Sequence, residues 1–272
     1  MIQDIYPHKF HNEYRCCSRP DASSPVLCFD GKRILARREG STLIFPSASM
    51  IEGHLTYAFA VDETEYFLDT GTNLYNIDGY EYIDIREVRK TDDNIFGMIV
   101  YTGTHLHQWY TENRYCGNCG GSMEHSDKER ALTCKDCRRT RYPHIMPAVI
   151  VGVTNGDKLL VTKYKEGFRY YALVAGFTEI GETLEETVAR EVMEETGLKV
   201  KNIRYYKSQP WGIVKDLLVG FYCDADGSCE IKIDENELKL AEWKRAGEIE
   251  LQPDSYSLTN EMMRVFKEQY QD

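Results

Sequence analysis

Three glutamates set the first constraint on what this chain can do. Glu191, Glu194 and Glu195 stand at relative positions 0, 3 and 4, which is one face of an α-helix. Like charges at those spacings repel and cost an isolated helix roughly a few tenths of a kcal/mol each. A chain that keeps such a cluster has a cation to hold, and an all-oxygen set suits a hard divalent ion, Mg²⁺ or Mn²⁺. The bland alternative is a solvated acidic helix. It accounts for the charge but not for the longer pattern in which the charge is embedded.

Four cysteines form a second constellation. Cys116 and Cys119 make one C-x-x-C knuckle, Cys134 and Cys137 another, with fourteen residues between them. Glycines at 117, 120 and 121 let the first knuckle turn its backbone N–H groups toward sulfur. Four thiolates at this spacing predict a closed tetrahedral Zn²⁺ site, a zinc ribbon, with no position left open for water. Such an ion is structural and supplies much of the folding free energy of a short segment. Lys128, Arg130, Lys135, Arg138, Arg139 and Arg141 raise the competing idea of a nucleic-acid module. Glu124, Asp127, Glu129 and Asp136 are interleaved with them, so the expectation is a solvated surface.

The elements that must position the carboxylates are well marked. Thr183 followed by Glu186 is a capping box. Leu184, Val188 and Val192 recur every four residues, with Met193 beside them, and supply a buried stripe. Gly197 is placed to end the helix in a left-handed turn. Gly176 and Gly181 precede it and allow a tight loop.

Composition bounds the rest. The 272 residues suffice for more than one domain. No apolar run approaches the ~18 residues of a membrane span, and the first residues lack a secretory pattern. A formal charge of −11 argues against non-specific binding to nucleic acid or an anionic membrane. Nine cysteines, four of them in the ribbon and the others scattered, suggest no disulfide framework. A reducing, cytoplasmic setting is expected.

Residues 176–198 as a whole, GFTEIGETLEETVAREVMEETGL, resemble the signature of the Nudix hydrolases. Gly176, Glu182, Arg190, Glu191, Val192, Glu194, Glu195, Gly197 and Leu198 fill every defined position. The resemblance implies an α+β architecture, a mixed β-sheet sandwiched by helices, and hydrolysis of a nucleoside diphosphate linked to another group. On the family pattern Glu191, Glu194 and Glu195 bind the catalytic ions, and Glu182 and Arg190 brace loop and helix. The expected general base is Glu194 or Glu195.

Around this core the chain divides, on expectation, into a β-rich segment 1–108, the ribbon 109–143 and the hydrolase domain 144–272. Short apolar runs such as Val26–Phe29, Ile34–Ala36, Leu43–Phe45, Tyr57–Val61 and Glu65–Leu68 predict strands in the first. Residues 92–110 predict a helix leading into the ribbon. Ala148–Val153 reads as a central strand and Lys158–Thr162 as its hairpin partner, after which Tyr170–Val174 delivers the chain to Gly176. Residues 217–222 and 240–243 predict two more, and 257–270 a closing helix.

Ribbon followed by Nudix domain, with Ser208-Gln209-Pro210-Trp211 after the box, is similar to the NADH pyrophosphatases over about residues 114–245. This likeness implies cleavage of NAD(H) to nicotinamide mononucleotide and AMP, removal of an NAD cap from RNA, and a homodimer. It also implies that Phe177 stacks on a substrate ring, that Tyr142 lies near the nicotinamide end, that Gln209 and Trp211 bind substrate, and that Glu237 adds a late carboxylate to the metal. One departure stands out. The family continues with Pro-Phe-Pro-x-Ser, and this chain has Gly212-Ile213-Val214-Lys215-Asp216. Two alternatives therefore remain: a Nudix hydrolase of ADP-ribose or another nucleoside diphosphate derivative, in which Lys215 and Asp216 meet a different leaving group, or a non-catalytic nucleotide sensor.

Overall fold

Ala148 and Ile150 pack into one apolar cluster while Val149, Val151 and Val153 pack into another. That alternation along β1 (Met146–Asn155) is the period of a strand buried on both faces. The structure, a computed structural model, describes residues 1–91 and 93–270. Asp92, in the helix expected over 92–110, and Gln271 and Asp272, at the end of the 144–272 segment, lie outside the described residues.

Five further strands complete the sheet around β1: β2 (Lys158–Tyr164), β3 (Val174–Phe177), β4 (Lys199–Trp211), β5 (Asp216–Asp226) and β6 (Leu238–Arg245). Their order is β4-β5-β1-β2-β6, with β3 also paired to β1. β1 runs parallel to β5 and antiparallel to β2 and β3, so the sheet is mixed. Helix α1 (Leu184–Thr196) puts Val188 and Val192 against the face that carries Val149 and Val151. Helix α2 (Leu258–Gln269) puts Leu258, Met262, Met263 and Phe266 against the other. The sheet between two helices is the layering expected from the motif.

Two strands go beyond what the sequence patterns predict. β3 begins at Val174 and extends to Phe177, with Thr162 and Ala172 forming an isolated bridge before it. The sequence patterns give no warning of β4. Register shifts at 201/204 and 205/208 break its period-two pattern, and seven of its thirteen side chains are exposed, so no alternation survives in the sequence.

The chain falls into two compact units, one of Met1–Ile2, Ile145–Trp211 and Asp216–Asp272, the other of Gln3–His144 and Gly212–Lys215. The second holds the β-rich segment and the ribbon together. Its strands Leu55–Val61 and Thr64–Asp69 pair antiparallel within a four-stranded sheet, and Val26, Cys28, Leu35, Tyr57 and Phe67 share a buried cluster. The helix Asn94–Glu112, capped by the Asp93 side chain on Ile95 N, runs across residue 108. The boundary expected at 108 therefore falls inside an element. Among the described residues no helix is long and apolar enough to cross a membrane.

Candidate active site and metal centre

The loop and helix that carry the carboxylates are locked by short-range chemistry. Thr183 Oγ1 accepts from Glu186 N at 3.2 Å, and Glu186 Oε2 accepts from Thr183 N at 2.8 Å. This reciprocal cap satisfies two otherwise open N–H groups and is worth about 1 kcal/mol. At the other end Gly197 adopts φ 69° and donates to Met193 O, the left-handed stop its position requires.

Arg190 is the hub. Its Nε and Nη2 donate to the two oxygens of Glu182 at 2.6 and 3.0 Å, and Nη2 donates to Phe177 O at 2.9 Å. Its Nη1 donates to Glu191 Oε1 at 2.7 Å and Glu194 Oε2 at 3.1 Å. Glu182 also accepts from Thr187 Oγ1 and Glu179 N. The guanidinium foremost, then these hydrogen bonds, hold the Glu182 carboxyl down at about 2 despite some desolvation. One planar cation thus ties the end of β3, the loop and the helix together.

The three glutamates do not share one environment. Glu194 is open to solvent, with a side chain 61% exposed. Glu191 is largely buried, and its carboxyl carbon would lie 2.0 Å from a β-carbon on residue 176. Glu195 is 2% exposed, and its Oε2 has no hydrogen-bond partner. Burial first, then repulsion from Glu191, Glu237 and Asp234, pushes its carboxyl up to about 8, opposed by an N–H of Ala175. Burial also raises Glu191, against the pull of Arg190. Buried carboxylates that repel one another and leave an oxygen unpaired are a donor set suited to a hard divalent cation.

Glu237 is exposed in a turn after a loop fastened to the helix end: Lys232 N donates to Thr196 O and Asp234 N to Glu195 O. Its negative charge reaches Glu195 and Glu191. Two further residues near the carboxylates lie outside the set expected from the motif. Asp234 faces Glu195 electrostatically, and its acidic stretch is legible in sequence. Tyr164, at the end of β2, is pushed up to about 12 by burial and then by Glu195, Glu237 and Glu191. No local signal marks it.

The expected substrate residues divide. Phe177 is half exposed at the end of β3, with its ring free of the core clusters. Trp211 packs half-buried on the α2-side cluster. Tyr142 is half exposed and donates from its hydroxyl to Glu129 at 2.9 Å. Gln209 lies in a different setting. It is fully buried, its Nε2 donating to Tyr256 O and its Oε1 accepting from Leu258 N, both at 2.7 Å. Those bonds tie its amide to the start of α2. Lys215 Nζ is likewise engaged, with Glu112.

The cysteines converge. All four sulfurs lie within 4.8 Å of one another, with Cys116–Cys137 at 3.6 Å and Cys119–Cys134 at 3.5 Å. Backbone N–H groups of Asn118 and Cys119 pull the Cys116 thiol down to about 6, which favours the ligating thiolate. Among the described residues this is the one group of His, Cys, Asp or Glu that converges so tightly. The glutamates stand further apart, with Arg190 between Glu191 and Glu194.

Comparison with known proteins finds two family models along the chain. Residues 144–265 match the NUDIX domain and residues 112–142 the NADH pyrophosphatase zinc ribbon domain. Over 172 residues, 62% of this chain, it is 42% identical to the NAD-capped RNA hydrolase NudC of Enterobacter sp. (strain 638). Over 173 residues it is 41% identical to the same-named protein of Klebsiella pneumoniae (strain 342). The matched stretch spans 65% of each of those relatives, just under two thirds. A NUDIX hydrolase from Nitrosomonas europaea superposes with a TM-score of 0.50 at 20% identity, covering 57% of this chain and 91% of that one. That last likeness speaks to fold alone.

Proposed function

From a chain that carries a Nudix domain behind an NADH pyrophosphatase-type zinc ribbon, we propose metal-dependent hydrolysis of the pyrophosphate bond of NAD(H). The products are nicotinamide mononucleotide and AMP, and an NAD cap on RNA is a second form of the same substrate. The observation that carries this reading is the sealed Glu195 oxygen without a partner, beside a Glu191 carboxyl pressed onto the Gly176 backbone.

Glu191, Glu194, Glu195 and Glu237 would hold Mg²⁺ or Mn²⁺, which when bound supplies charge neutralisation on the diphosphate and Lewis acidity toward water. Glu194 or Glu195 takes the proton of the attacking water. Glu182 acts at a distance, by fixing the Arg190 guanidinium that orients Glu191 and Glu194. The exposed Phe177 ring offers a stacking surface for a substrate ring, and Tyr142 is assigned to the nicotinamide end. Trp211 supports the wall of the site. Zn²⁺ in the four-cysteine cluster is structural. A homodimer and a cytoplasmic location complete the reading.

A second reading, hydrolysis of ADP-ribose or another nucleoside diphosphate derivative, is favoured by Gly212–Asp216, which departs from the family extension. The intact set Glu191, Glu194 and Glu195 speaks against a non-catalytic sensor. Turnover of NADH, NAD⁺, ADP-ribose and NAD-capped RNA, compared side by side with Mg²⁺ or Mn²⁺, separates these readings. Release of AMP from NADH is expected. Faster cleavage of ADP-ribose would favour the second reading, and turnover of none would remove both.

A further inference from the structure

A cleft of about 350 Å³ lies within the unit Gln3–His144, walled by residues 14–19, the start of the strand Leu55–Val61 and ribbon residues 125–127. That is room for a small ligand, and nothing in the proposed hydrolase uses it. Tyr57 lines the cleft and is 3% exposed, and its hydroxyl has no hydrogen-bond partner. A sealed hydroxyl left unpaired is a standing cost to the fold. One that belongs to the wall of a cleft is completed by what enters it.

The charges around that hydroxyl say what would enter. The Arg15 guanidinium lies 5.7 Å from the centroid of the Tyr57 ring, and it engages Glu65 through Nη1. Arg130, expected on a solvated surface, is instead half-buried, with its Nη2 donating to Ala58 O at 2.7 Å. At the Tyr57 hydroxyl Arg15 outweighs Glu65 and Arg130 outweighs Glu13, so the field there is positive. Arg19 lines the same cleft, donates to Cys16 O and Ser18 O, and has no carboxylate partner among the described residues. The opposing carboxylates are engaged or open to water. Glu65 accepts from Arg15 and from the Ser18 hydroxyl, while Asp127 and Glu13 are exposed, where solvent and salt screen them.

We propose that this cleft binds a phosphate group, free or as a monoester, with the Tyr57 hydroxyl and the Arg15 and Arg19 guanidinium groups donating to its oxygens. Planar guanidinium forks match phosphate geometry, and a phenol O–H donates to an anion without adding charge. His54 and His125, ring centroids 5.9 Å apart in the same wall, are the surface for a ring that an ester carries. Burial foremost pushes the His125 imidazole down from its usual value, which keeps that ring uncharged at neutral pH. The site stands apart from the glutamates and does not depend on the hydrolase reading.

Hydrogen exchange of the full chain tests it, without added divalent ion and at constant ionic strength, with chloride as the reference salt. Inorganic phosphate and AMP are the probes. Both should slow exchange over residues 14–19, 54–57 and 125–127, and the effect should saturate. Saturation by AMP at the lower concentration identifies an ester that carries a ring, and saturation by phosphate at an equal or lower one identifies the bare ion. Arg19→Ala should raise the half-saturating concentration on the order of 10-fold, the range of a charge-assisted bond. Tyr57→Phe should weaken binding as well and, without ligand, melt at the parent's temperature or above, because an unpaired sealed hydroxyl is gone. Arg19→Ala keeps the test open should Tyr57→Phe fail to fold. No slowing with either probe, or half-saturation unchanged in either folded variant, would overturn the proposal. Slowing confined to residues 176–198 would place the probes at the glutamates and overturn it too. NADH turnover is a separate measurement, so the hydrolase reading can fail while this one holds.

Discussion

Gly176 and Glu191 occupy the same wall of the site: a β-carbon on residue 176 would lie 2.0 Å from the Glu191 carboxyl carbon and 2.1 Å from its Oε1. The glycine is there for the absence of a side chain, since its backbone is the surface against which the carboxylate is held. Gly176→Ala should therefore displace Glu191 rather than strain the chain locally. We expect a loss of stability of about 1–3 kcal/mol, as for overpacking elsewhere, and turnover slowed by roughly an order of magnitude or more through the displaced ligand. Denaturant titration and steady-state rates measure the two. A fully active, fully stable variant would mean that Glu191 need not sit where it does.

Glu195→Gln should move stability and activity in opposite directions. The folded chain holds the Glu195 proton up to about 8, while the unfolded chain releases it near 4.5. Stability therefore falls as pH rises through that window. Without divalent ion the variant should melt at higher temperature than the parent, by more at pH 8.5 than at pH 5. With Mn²⁺ its turnover should slow on the order of 10²-fold. A lower melting temperature at pH 8.5 would show the buried carboxylate to be structural.

Arg190→Ala should change the acid limb of the stability profile. Glu182 is held down to about 2, chiefly by this guanidinium. The resulting stabilisation is present above about 4.5 and disappears as pH falls toward 2. The gap in melting temperature between parent and variant should thus narrow between pH 4.5 and 2. A gap that stayed constant would assign Arg190 no linkage to Glu182.

Zinc content follows from the cysteine geometry. Elemental analysis should find about one Zn²⁺ per chain, and Cys134→Ser should release it and unfold the ribbon. Hydrogen exchange over residues 112–142 reads the unfolding. A zinc-free protein with a protected ribbon would refute the assignment.

Much of the site is legible in the sequence because its determinants are local. Helix periodicity places Glu191, Glu194 and Glu195 together without reference to the rest of the fold, and Thr183 with Glu186 and Gly197 marks the ends of that helix. The C-x-x-C knuckles are equally local. The sequence does not show that the Gln209 amide bonds to Tyr256 and Leu258, forty-seven and forty-nine residues away. β4 escapes because its bulges destroy the alternation from which strands are recognised.

The amino-acid order by itself determined which carboxylates share a helical face and which cysteines form a cluster, since spacing along one turn decides both. Only the tertiary structure decided which of those carboxylates is sealed. Glu195 is buried beside Ala175, Asp234 and Glu237, distant in sequence, and the free energy of an ionised group depends on what surrounds it, not on its neighbours in the chain. The same residue type, one position apart, is open to solvent at Glu194 and shut away at Glu195.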